Sequence, residues 1–160
     1  DEHAAYCYHL PFNKMGIKAH AHLARINDTC AEDATLAPSL TYSRDTGNSY
    51  TASLYTSLAA LLDNRDDLAG KTVGLFSYGS GCTGEYLAAT ISAGYQAHRR
   101  RDTHRALLAA RQEIDYPTYL RYWYAPDGAS DVEMPHDNPA PYRLAAIKNH
   151  RRYYDGPASV

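Results

Sequence analysis

The sequence predicts a layered α/β domain, and three observations lead there. Runs of β-branched, aromatic and aliphatic residues alternate with segments of helical period. One pair of these runs, Thr72 to Ser77 and Glu85 to Ile91, flanks the small polar turn Gly79-Ser80-Gly81, which is the pattern of a hairpin. The chain has 160 residues, 44% of them hydrophobic and 21% charged, enough for one domain over residues 1–160 with a core of its own.

The elements follow in order. Ala4 to Tyr8 is a short apolar strand, stopped where Pro11 biases Leu10 to an extended conformation. Asn13 is placed to cap a helix over Lys14 to Ile26, with Met15, Ala19, Leu23 and Ile26 as its apolar stripe. Asn27 to Pro38 is polar and predicts a surface loop, and Ser43 to Asn48 is turn chemistry. A second helix starts at Ser49 or Tyr50. It carries Leu54, Tyr55, Leu58, Leu61 and Leu62 inward and ends in a charged loop, Asp63 to Asp67, with Gly70 as the stop before the hairpin. Asp102-Thr103 caps a helix to about Arg111 with Leu107 and Leu108 inward. Ile114 to Tyr124 is another short helix, with Asp115 as cap and Pro117 in its first turn. Ala125 to Pro141 predicts a long loop, Tyr142 to Ile147 a return to the sheet, and Lys148 to Tyr154 a basic, tyrosine-bearing end. The sequence opens on Asp1, without methionine or a capped element, and reads as the interior of a longer domain.

Several function classes are disfavoured. The net charge of −2 gives no general attraction to nucleic acid or to an anionic membrane. No apolar run is long enough to cross a bilayer. Cys7, Cys30 and Cys82 are odd in number and lack CxxC spacing, which fits reduced thiols in a cytoplasmic protein. No metal is expected: His20 and His22 lie two apart and point to different sides of a helix, and there is no HExxH. The 15 tyrosines suit half-buried faces, interfaces and narrow ligand tunnels.

A few side chains carry chemistry. His9 sits where an apolar strand meets a proline. It fits both a satisfied core histidine and a rigidly held group that donates to a carbonyl or exchanges a proton. Asn48, after Gly47, either caps the second helix, the default, or donates to a carbonyl. Lys14 and Lys18 are one helical turn apart and either converge on an anion or form a solvated face. Arg99 to Arg101 reads as a solvated loop. The glycine turn is either a plain hairpin or a place where backbone N–H groups stabilise charge on a carbonyl oxygen. None of the three cysteines has an evident base partner, so all are read as non-nucleophilic.

Five collinear segments carry a resemblance. HLPFNKMGIKA at 9–19, YSRDTGNSYTASLYTSLAALLDN at 42–64, GLFSYGSGCTGEYLAATISAGYQ at 74–96, DTHRALLAARQEIDYPTY at 102–119 and YRLAAIKNHRRYY at 142–154 together resemble the C-terminal half of bacterial 3-hydroxy-3-methylglutaryl-CoA (HMG-CoA) synthase. The resemblance implies a thiolase-like layered fold with a mixed sheet packed by helices. It implies condensation of acetyl-CoA with acetoacetyl-CoA and water to HMG-CoA and CoA, in the mevalonate route to isoprenoids. It implies no cofactor beyond these acyl-CoA substrates, and a homodimer. Matched position by position, it makes His9 the histidine that binds and polarises acetoacetyl-CoA, and Asn48 the asparagine that hydrogen-bonds the same acyl group. It makes Ser80 the turn residue whose backbone N–H helps form the oxyanion hole, within Tyr78-Gly79-Ser80-Gly81. Lys14 and Lys18 fall where basic groups meet CoA phosphates.

The resemblance also implies an absence. The acetyl-carrying cysteine and the glutamate base belong to the family's N-terminal half, and Cys7, Cys30 and Cys82 do not match the nucleophile's motif. The chain is therefore expected not to turn over by itself, and to need that half in the same or a partner chain. Two other functions compete. One is an HMG-synthase-like enzyme that adds β-branches to polyketides and takes acyl groups from carrier proteins; Lys14, two residues after Phe12, argues against it as a phosphate-binding charge. The other is a non-catalytic half-domain that pairs with a partner chain.

Overall fold

The computed structural model describes residues 3–124, 131–134, 136 and 142–156. Two compact units divide the chain, Asp1–Arg111 and Gln112–Val160. In the first unit, β1 (His3–Tyr8), β2 (Thr72–Gly79) and β3 (Thr83–Thr90) form a mixed sheet in that order. β1 runs parallel to β2, ending on the pair Tyr8 with Phe76. β2 and β3 are the expected antiparallel hairpin, in register from Thr72 with Thr90 to Gly79 with Thr83.

Side-chain alternation splits the strand residues between two faces. Ala5, Cys7 and Val73 pack with Leu54, Leu61, Leu68, Ile91 and Tyr95. Tyr8 packs on the opposite side with Leu10, Leu36 and Leu40, joined by Tyr6, Ala19 and Phe76. Helix α4 (Ala52–Asn64) therefore covers one face, and α1 (Asn13–Ile26) with the short α2 (Asp33–Leu36) the other.

Several sequence expectations are corrected. Asn13 does not cap α1; it is the first helical residue, and Phe12 holds the cap position without a side-chain bond. The Asn13 side chain instead reaches Leu40 O and accepts from the Ser43 hydroxyl. The buried stripe of α1 is Gly16, His20 and Ala24, while Met15 and Ile26 are 44% and 65% exposed. Close packing selects the small side: a Cβ on Gly16 would lie 2.6 Å from Leu10 Cδ2. His20 fits there because Tyr8 Oη and Thr35 Oγ1 engage its two ring nitrogens at 3.1 and 3.0 Å. Burial lowers its pKa, against the Glu32 carbonyl and Asp33.

The stretch expected as loop and turn contains α2, a 3₁₀ turn over Ala37–Leu40, and α3 (Thr41–Thr46), held by buried Leu36, Ser39 and Leu40. Helix α4 starts at Ala52 because Tyr50 has φ 53°, outside helical geometry. Tyr55 is exposed, and Ser53, Ser57 and Ala60 share the buried face with Leu54 and Leu61.

Asp63 is not in a charged loop. It lies in the last turn of α4, 2% exposed. Its Oδ2 accepts from Tyr42 Oη and His104 Nδ1, each at 2.7 Å, and its Oδ1 accepts from Arg100 N at 3.3 Å. Burial works to raise its pKa, but the bonds from Tyr42, His104 and Arg100 outweigh it and hold the carboxyl below its ordinary range. The arginines read as a solvated loop anchor this corner: Arg101 donates to Asp63 O, and Arg99 to Asp66 Oδ1, Arg65 O and Tyr95 Oη. Carbonyls left free at the C-terminus of α4 explain the choice of guanidinium. Helix α5 (Arg101–Ala109) has Arg100 rather than Asp102 at its cap, and Leu107 faces outward, because its inner side is the polar one that meets Asp63.

In the second unit, Asp115 caps α6 (Tyr116–Trp123) as expected, accepting from Thr118 N at 2.9 Å. Tyr116, Tyr119 and Trp123 stack along its exposed side. β4 (Val132–Glu133), β5 (Arg143–Lys148) and β6 (Arg151–Asp155) form a separate antiparallel sheet. The residues expected to rejoin the first sheet thus pair with the basic end instead, closed by Arg143 Nη2 on Asp155 Oδ2 at 2.7 Å. Most of the expected loop 125–141 lies outside the described residues, apart from the stretch that holds β4.

Candidate active site

The parallel ladder fixes His9. Its amide donates to Phe76 O at 2.8 Å, one step beyond the last pair of β1 and β2. Alternation along β1 turns Ala5 and Cys7 toward α4, and His9 continues that series. Its Nδ1 lies 3.2 Å from Ser53 Oγ on α4. Leu10, next along the chain, is fully buried and donates its amide to the same Oγ at 3.0 Å. The imidazole is half-buried and meets Tyr78 edge-on, with ring centroids 6.3 Å apart.

The hairpin turn is Ser80-Gly81-Cys82, one residue later than the sequence suggested, because Gly79 still pairs with Thr83. Gly81 and Cys82 take positive φ, 90° and 60°. Ser80 is exposed, and among the described residues its N–H has no hydrogen-bond acceptor. Asn48 does not cap α4. Its Oδ1 accepts from Tyr50 N at 2.8 Å in a local turn, and its Nδ2 donates to none of the described residues. Lys14 and Lys18 are exposed on α1, the helix that begins four residues after His9. The fold thus brings His9 and Tyr78 together and sets Gly79 and Ser80 further along the same hairpin. Asn48, Lys14, Lys18 and Ser80 make no hydrogen bond to His9 among the described residues.

Cys7 is buried on the α4 face, and burial pushes its thiol up to about 12, which keeps it protonated and unreactive. Cys30 and Cys82 are exposed. The group that sequence reasoning missed is Ser53. Its trace in the sequence is a small hydroxyl residue on the apolar side of α4, at the i and i+4 positions of Ser53 and Ser57.

A family model described as hydroxymethylglutaryl-coenzyme A synthase C terminal matches residues 31–129, more than half of the chain. The chain belongs to the hydroxymethylglutaryl-CoA synthase family. The family's Enterococcus faecalis hydroxymethylglutaryl-CoA synthase is 40% identical over 159 residues, covering 96% of this chain and 41% of that protein. Among solved structures, MvaS in complex with 3-hydroxy-3-methylglutaryl coenzyme A superposes with a TM-score of 0.82 at 33% identity, over 98% of this chain and 42% of that one. The curacin biosynthetic pathway HMG synthase in complex with acetyl donor-ACP gives a TM-score of 0.86 at 26% identity, over 98% and 43%. The chain spans about two fifths of the length of each of these three relatives. Its fold is the thiolase-like α/β fold of these HMG synthases, a mixed sheet packed by helices.

Proposed function

We propose that this chain supplies the acetoacetyl-CoA-binding half of an HMG-CoA synthase of the mevalonate route. The observation that carries the reading is the placement of His9: ladder-bonded through its backbone, met at Nδ1 by Ser53, and facing Tyr78 beside the hairpin. The other half brings a cysteine, which takes the acetyl group from acetyl-CoA as a thioester and releases CoA, and a glutamate, which removes a methyl proton. The resulting enolate carbon bonds to the ketone carbon of acetoacetyl-CoA, and the ketone oxygen takes up the proton that the glutamate removed. His9 polarises that acyl group by hydrogen bonding, assisted by the amide of Asn48. The N–H of Ser80, unpartnered among the described residues, in the turn after Tyr78 and Gly79, supplies an oxyanion donor. Water cleaves the thioester, giving HMG-CoA and the free cysteine. Lys14 and Lys18 meet the CoA phosphates as point charges.

The chain alone, mixed with acetyl-CoA and acetoacetyl-CoA, gives no steady HMG-CoA. Adding a nucleophile-bearing half gives it, and steady product from the chain alone sinks the reading. The carrier-protein reading is supported by the fold shared with the curacin HMG synthase in complex with acetyl donor-ACP. Fold similarity does not discriminate, since the TM-scores differ little, whereas identity is higher to the MvaS and Enterococcus enzymes. A catalytically complete assembly that prefers acetyl-carrier protein over acetyl-CoA reverses this ranking.

A further inference from the structure

Ser53 is 1% exposed, and a hydroxyl has one proton to give. Its Oγ already accepts the Leu10 N–H, so that bond uses a lone pair and leaves the proton free. Serines within helices commonly return this proton to the carbonyl four residues back. Ser53 makes no such bond to Ser49 O, and the one acceptor in reach among the described residues is His9 Nδ1, at 3.2 Å. The Oγ–H therefore donates to Nδ1. An imidazole that accepts at Nδ1 is neutral and carries its proton on Nε2. Nε2 has no partner among the described residues, so its N–H is available on the side of the ring away from Ser53.

We infer that Ser53 is a positioning residue that holds His9 as the neutral Nε2–H tautomer, a hydrogen-bond donor rather than a base. The inference rests on the proposed role of His9 toward acetoacetyl-CoA. One oxygen performs two tasks. By taking the Leu10 amide it fixes the backbone immediately after His9, and by donating to Nδ1 it fixes the ring. Gly16 lets Leu10 sit close against α1 from the other face of the sheet, so this backbone has little room to shift. The ring thus arrives at the ligand with its proton already on the outward nitrogen, which avoids reorganisation during the reaction.

The test uses the catalytically complete assembly labelled with ¹⁵N-histidine, with the His9 resonances assigned by their loss in His9→Ala. The wild type is expected to show a pyridine-like Nδ1 and a protonated Nε2. The opposite tautomer overturns the inference whatever the variants do. In Ser53→Ala, His9 is expected to become a mixture of tautomers. Its condensation kcat falls about tenfold to a hundredfold, in line with small misplacements of catalytic groups, while acetylation of the cysteine falls by much less. Ser53→Ala that keeps a single Nε2–H tautomer and wild-type condensation overturns the positioning role, as does an equal loss in both half-reactions. If His9→Ala itself leaves condensation intact, it is the role of His9 that fails. If His9→Ala abolishes condensation and Ser53→Ala does not affect it, the role of Ser53 alone fails.

Discussion

At the scale of single residues, the backbone and the side chain of Ser80 make different predictions. The proposed donor is the amide, so Ser80→Ala should leave the condensation rate of a complete assembly within a few-fold of wild type. Ser80→Pro removes the N–H and should cost on the order of 10²–10³ in rate. Equal effects of the two substitutions, measured as HMG-CoA formation, would sink the assignment. Gly16 is the second sharp case. A Cβ there meets Leu10 Cδ2 at 2.6 Å and Leu40 Cδ2 at 3.4 Å. Gly16→Val should therefore destabilise by about 1–3 kcal/mol, the usual cost of overpacking, seen as a lower urea midpoint at unchanged slope. The sequence hides this residue: glycine inside a helix reads as a weakness until the helix is seen to lie against Leu10.

At the scale of elements, Asp63 ties three helices, α3 through Tyr42, α4 by its own position and α5 through His104. Its carboxyl has a depressed pKa in the folded state. The stability it contributes is fully present above the ordinary carboxylate pKa near 4 and is lost as pH falls through the lower folded value. Asp63→Asn should cost about 2 kcal/mol near neutral pH, where it weakens hydrogen bonds to a charged group. The gap in melting temperature between wild type and variant should close as pH drops from 5 toward 2. A gap that stays constant over that range excludes a titrating Asp63 as its source. Elements whose signal is local were legible: the hairpin from its paired β-rich runs and glycine, β1 from its apolar run and Pro11, α6 from Asp115 and Pro117. Elements chosen by tertiary partners were not. The stripe of α1 follows smallness rather than hydrophobicity, α2 and α3 are too short for periodicity, and α5 turns a polar side inward. Of the candidate site, the place of His9 at the end of β1 and the glycine turn of the hairpin were legible from residue type and position, while their proposed roles came only through the family resemblance. Ser53 was not legible, because its partner lies 44 residues away in sequence and across two packed elements.

At the scale of the whole molecule, the parallel ladder does more than hold two strands together. His9 donates its amide to Phe76 O, one step beyond the pair of Tyr8 with Phe76, and among the described residues the open N–H of Ser80 lies three residues past that step, in the turn that follows β2. At roughly 3.3 Å per residue, that places the two backbone positions about 10 Å apart along the strand direction. The strand thus works as a ruler, with the imidazole at one graduation, Tyr78 between, and the turn at the end. Under the proposed chemistry, His9 and the Ser80 amide each take their own carbonyl, His9 that of acetoacetyl-CoA and Ser80 that of the cysteine thioester, and the reacting pair spans the interval. Lengthening the hairpin by one residue pair beyond Tyr78 should leave the fold and the His9–Ser53 contact intact, yet uncouple acetoacetyl-CoA binding from bond formation. Binding titration beside a condensation assay reads this directly: the Kd should hold while the rate falls. A Kd that weakens in step with the rate would mean that the turn, and not only His9, grips the acetoacetyl group.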